Sequence, residues 1–65
     1  MAETKRANIW LVDTEEDLIG FVSTRPITLA EVADYLIEKT KFHILDIWES
    51  DKDELEFAGV EVLRI

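Results

Sequence analysis

The chain has 65 residues, no cysteine and a formal net charge of −8, from 15 Asp+Glu against 7 Lys+Arg. A length like this holds one small domain that buries roughly 60% of its unfolded surface, and without cysteine neither disulfides nor thiolate metal sites can reinforce it. The negative charge argues against direct binding to nucleic acid or anionic lipid, which select positive surfaces, while a hydrophobic share of 48% argues against disorder.

Residues 1–7 are polar and read as a flexible N-terminal arm, leaving 8–65 as a single domain. "MAETKRA" lacks the apolar core of a secretion signal, and no apolar run approaches the ~20 residues that span a bilayer. The expected location is the cytoplasm, or the host cytoplasm for a viral protein.

"NIWLVD" (8–13) predicts a strand apolar on both faces, with Ile9 and Leu11 on one side and Trp10 and Val12 on the other. "DTEED" follows as a turn, and "LIGFVST" (18–24) reads as a second strand completing a hairpin. Within it, Gly20 either weakens the ladder or admits a close neighbour.

The strongest local signal lies in "RPITLAEVADYLIEKTK". Thr28 and Glu31 have the spacing of a capping box, and Ile27 and Val32 that of a hydrophobic staple, so a helix is expected from Leu29 to about Lys39. Pro26 fits a chain that has already left the strand. Leu29, Val32, Ala33 and Leu36 form the apolar stripe, with Tyr35 and Ile37 at its flanks.

"FHILDIWE" (42–49) predicts a third strand, "SDKDE" an acidic turn, and "LEFAGVEVLRI" (55–65) a fourth strand. The apolar series of this last segment changes phase across Ala58 and Gly59. A β-bulge at Gly59 restores one apolar face, and a tight turn there is the alternative. The expected fold is therefore α+β, a ββαββ chain forming a four-stranded antiparallel sheet in the order 2-1-3-4 with one helix on one face. Large side chains on the other face, Trp10, Val12 and Trp48 among them, then need a cover. A second copy of the chain or another protein supplies it, unless the C-terminal segment or the N-terminal arm folds across.

Little here resembles catalytic equipment. His43 is the only histidine and stands among large apolar residues, where a packed or edge histidine is expected. No phosphate loop, metal-binding His pair or triad spacing occurs, so no enzyme and no cofactor are expected. Asp51, Asp53 and Glu56 are hard oxygen ligands, but the segment lacks the ligand ladder and glycine of a calcium loop.

The carboxylates themselves are the functional candidates: Asp13, Glu15, Glu16 and Asp17 in the first turn, and Glu49, Asp51, Asp53 and Glu54 in the second. On the expected topology they make both ends of the sheet negative. Spaced carboxylates on a rigid frame can occupy the groove of a basic nucleic-acid-binding protein, and an apolar patch of Trp10, Val12 and Trp48 would prolong the encounter. Phage-encoded inhibitors of DNA glycosylases, restriction enzymes and CRISPR nucleases share this economy. The layout is loosely similar to one uracil-DNA glycosylase inhibitor type, through "DTEED" and "TLAE", a generic turn and a generic capping box. The expectation is a protein-binding module of DNA-mimic inhibitor type, with a basic protein partner and with a second copy of itself in a homodimer. The alternatives are a homodimeric adaptor or an antitoxin-like partner whose acidic turns serve only solubility.

Overall fold

The strand that is apolar on both sides runs through the inside of the sheet. A computed structural model describes residues 5–40 and 43–65; residues 1–4 of the expected arm and Phe42 of the expected third strand lie outside the described residues. Strand β1 (Arg6–Thr14) begins two residues inside the span read as an arm. It pairs antiparallel with β2 (Leu18–Thr28) on one side and with β3 (Ile44–Glu49) on the other. Helix α1 (Leu29–Lys39) joins β2 to β3, helix α2 (Lys52–Ala58) follows β3, and β4 (Glu61–Arg64) ends the chain.

Strand β2 runs past its expected end. Its register against β1 jumps from Ile9↔Val22 to Ala7↔Ile27, so Ser23–Pro26 is taken up as extra length opposite Asn8. Proline is tolerated there because such a segment asks for no ladder donor. The Asn8 side-chain amide donates to the Ser23 carbonyl at 3.0 Å and pins the excursion.

Helix α1 has the expected bounds, and its N-terminus is the expected capping box. The Glu31 amide donates to Thr28 Oγ1 at 3.2 Å, and the Thr28 amide donates to Glu31 Oε1 at 3.3 Å. Val32 and Leu36 drive into a core with Trp10, Val12, Ile19, Phe21, Ile27 and Ile47. Tyr35 meets Phe21 edge to face, with ring centroids 5.4 Å apart. Trp10 keeps its indole donor satisfied on the Ala7 carbonyl at 3.1 Å, as a buried Trp requires.

The C-terminal third departs from expectation. The sheet is mixed, in the order β3-β1-β2-β4, with β4 parallel to β2; the expected order 2-1-3-4 and the all-antiparallel ladder hold only for the β2-β1-β3 part. Residues 52–58 form a second helix where half of a strand was expected. Asp51 caps that helix, its Oδ1 accepting from the Glu54 amide at 2.8 Å, and Asp53 and Glu54 complement the positive end of the short helix. Gly59 closes it in the left-handed region at φ 63°, which glycine adopts without a Cβ penalty. The glycine is thus a helix stop rather than a bulge, and the helix carries the chain across the sheet to the far edge of β2.

That crossing covers part of the second face. Leu55 is buried above Gly20: a Cβ on Gly20 would stand 2.8 Å from Leu55 Cδ2 and 3.2 Å from Val62 Cγ2, so only glycine lets α2 come down this far. Leu11, directly opposite Gly20 in register, is buried on the same side. The C-terminal segment folds across the face that the sequence left open. No helix among the described residues is long and apolar enough to cross a membrane.

Candidate functional site

The hairpin turn is held from inside. Thr14 is buried, and its hydroxyl oxygen accepts from the amides of Glu16 and Asp17 at 3.3 and 2.9 Å while donating to the Asp17 carbonyl. The Thr14 amide donates to the same carbonyl at 3.0 Å, and the Glu15 amide donates to the His43 carbonyl at 3.1 Å. Glu15, Glu16 and Asp17 project from this turn and are exposed.

Further carboxylates converge on the same end. Asp13 faces Asp46 directly across the β1–β3 ladder, a like-charge pair that destabilises a sheet. Glu61 starts β4 beside the Asp17–Ile19 stretch. Lys39 ends α1 on the way to β3, but among the described residues neither Lys nor Arg lies within ion-pair distance of any of these acids; the one basic side chain that does is His43. Its Nδ1 lies 3.8 Å from Glu15. His43 is exposed rather than packed among apolar residues.

The opposite end has a different character. Lys5, Arg6, Arg25, Lys52 and Arg64 all lie toward it, by register or by their place at the start of α2. Its acids have local partners. Lys5 Nζ sits 2.7 Å from Glu49, Arg6 lies 3.9 Å from Glu31 within the capping box, Asp51 caps α2, and Asp53 and Glu54 fill the first turn of that helix. The expected two negative poles thus become one acidic end, with Asp13, Glu15, Glu16 and Asp17 and, among the described residues, no Lys or Arg in ion-pair range, and one mixed end, with Glu49, Asp51, Asp53 and Glu54. Sequence spacing cannot find Asp46 and Glu61 at the acidic end; strand register brings them there.

The apolar trio does not form one exposed patch. Trp10 and Val12 are buried beneath α1, 2% and 0% exposed, and Trp10 meets Trp48 only as part of the lining of a groove shared with Leu29 and Ile47. Trp48 pairs with Leu11 at the β3 edge and keeps 37% of its surface. The edge strand is protected in two ways that natural sheets use against further pairing. Leu45 is an extra residue, skipped where the β1–β3 register shifts, and the Asp46 carboxylate accepts from the Ile47 amide at 2.9 Å.

Two features of the α2 side were missed by sequence reasoning. Phe57 is 95% exposed on α2, and a groove runs along the helix, with Ile9, Val22, Leu55, Val60 and Val62 as its apolar lining and Lys52, Glu56 and Arg64 as its charged lining. Asp51 three residues before Glu54, with Gly59 beyond, is the helix signal that could have found them. Among the described residues no group of three or more His, Asp or Glu side chains is placed to hold a metal ion. Asp51, Asp53 and Glu56 sit on a capped helix, not on a calcium loop. Comparison with family models, curated proteins and solved structures finds no match to this chain.

Proposed function

We propose that this chain is a small acidic protein-binding module that inhibits a basic, nucleic-acid-handling protein in the cytoplasm by placing carboxylates where the target receives DNA phosphates. The supporting observation is the hairpin end: exposed carboxylates on a turn locked by Thr14, with Asp13 and Asp46 beside them and neither Lys nor Arg in ion-pair range among the described residues. Folding gains nothing from crowding like charges, so an arrangement that holds them on a fixed turn away from Lys and Arg suits an external cation. Preorganised charge also favours fast, salt-sensitive capture. The reading assigns no catalytic step to the chain.

The test uses immobilised wild-type chain and a Glu15→Gln, Glu16→Gln, Asp17→Asn variant in a nuclease-treated lysate at low salt. A basic protein retained by the wild type, released by rising salt and by duplex DNA, and not retained by the variant is the expected result. Equal retention by both chains, or release by neither salt nor DNA, contradicts the reading.

A further inference from the structure

Helix α2 is held to the sheet by far less than α1 is. Val32 and Leu36 of α1 are buried, with Ala33 and Tyr35 packed beside them, whereas among the described residues of α2 Leu55 alone is buried. A helix of seven residues does not stand by itself, because isolated helices need roughly 12–15 residues to be even marginal in water. Its existence therefore depends on Leu55 staying against Gly20. Beside that contact the helix is not sealed to the strands, since a groove of about 520 Å³ runs along it, lined by Ile9, Val22 and Val62 of the sheet and by Leu55 and Glu56 of the helix. The flanks of the segment are fixed: the Ser50 amide donates to the Ile9 carbonyl at 3.0 Å, and β4 pairs with β2 over Glu61–Arg64. Between these anchors stand two helix-boundary residues of the kind that absorbs a change of chain direction. Asp51 is extended at φ −139°, and Gly59 lies in the left-handed region at φ 63°, with open space where a Cβ would stand.

We propose that α2 is a lid. It leaves the sheet as a unit, on hinges at Asp51 and Gly59, while α1 and all four strands stay folded. What it uncovers is a row in register across three strands, Leu11 on β1, Gly20 on β2 and Val62 on β4, of which Leu11 is buried in the closed form. Leu55 is the latch. It stands so close over Gly20 that a Cβ there would lie 2.8 Å from Leu55 Cδ2 and 3.2 Å from Val62 Cγ2, so the closed form needs both the leucine and the glycine. Once the latch lifts, the short helix loses the contact that supports it and unwinds, so opening of the lid and exposure of its amides are one event. The device is independent of the function assigned to the hairpin end, whose turn carboxylates belong to another segment.

Native-state hydrogen exchange of the full chain, followed by NMR at rising sub-denaturing urea, tests it. The Leu55 and Gly59 amides donate to the Asp51 and Leu55 carbonyls at 3.1 and 3.2 Å. They are expected to exchange together, through an opening that exposes little surface and so depends little on urea, while the amides of the β1–β2 and β2–β4 ladders exchange only in global unfolding. Relative to the β1–β2 ladder, Leu55→Ala should speed α2 exchange about 30-fold by removing the latch, and Gly20→Ala about tenfold by lifting it. Exchange of the α2 amides only in the global transition, in step with β1 and β2, overturns the proposal. Exchange of the β2–β4 ladder together with α2 overturns it too, since the moving unit would then have no hinge at Gly59. So does α2 exchange left unchanged by both substitutions, because Leu55 would then hold nothing closed.

Discussion

The two ends of this sheet carry similar numbers of carboxylates and use them in opposite ways. At the mixed end Asp51 caps a helix, Glu31 closes a capping box and Glu49 meets Lys5; removing any of them removes a favourable contact. At the hairpin end Asp13 opposes Asp46, and Glu16, Asp17 and Glu61 have no cation in range among the described residues. The fold supports the backbone of that turn without giving its acidic side chains any partner but His43. The difference teaches that a run of acids in a sequence is not one kind of feature; the function proposed above rests on the run that is held against its own repulsion.

That contrast can be broken at its strongest point by Thr14→Val. The change keeps the shape of a buried β-branched residue but strips the amides of Glu16 and Asp17 of their acceptor. The expected loss is about 2 kcal/mol in denaturant unfolding, accompanied by slower capture of a basic partner. Next in size, Asp51→Ala should cost about 1 kcal/mol by uncapping α2, whereas Asp51→Asn, an equally good cap, should stay within a few tenths of wild type. Equal losses from the two substitutions would show that charge, not capping, is what Asp51 supplies.

At the acidic end the sign reverses. Asp13→Asn should stabilise the fold by about 0.5 kcal/mol, because it removes a like-charge pair directly across the ladder; a destabilised variant would mean that Asp13 has a structural task after all. Smallest of all, Lys5→Ala should change stability by no more than about 0.5 kcal/mol in thermal unfolding. The Lys5–Glu49 pair is short but solvated, and exposed pairs contribute little.

Much of the N-terminal two thirds was legible in sequence because local and global signals agree there. The capping box at Thr28 and Glu31, the stripe through Val32 and Leu36, and the double-sided β1 all pointed to the arrangement observed. Gly20 left two readings open, a weakened ladder or a close approach, and Leu55 makes the approach. The C-terminal third misled because "LEFAGVEVLRI" supports alternation on either side of Gly59, and a short helix gives too few turns for its period to show. Only the cap spacing of Asp51 and Glu54, with the glycine stop, breaks that tie. Face assignment failed for a related reason. With one helix in view, Trp10 and Val12 could be placed on either side of β1, and only the packing of α1 selects the side. Which carboxylates lie close together was legible for neighbours such as Glu15, Glu16 and Asp17; for Asp46 and Glu61 it depends on register, which is a property of the folded sheet.

The most direct test of the contrast between the ends is an NMR titration of the labelled chain with an arginine-rich peptide, at low salt and again at high salt. Amide shifts are expected to concentrate at Asp13–Asp17, Asp46 and Glu61 and to vanish at high salt, with Asp51–Glu56 nearly silent. Shifts of equal size at both ends, or centred on α2, would contradict it.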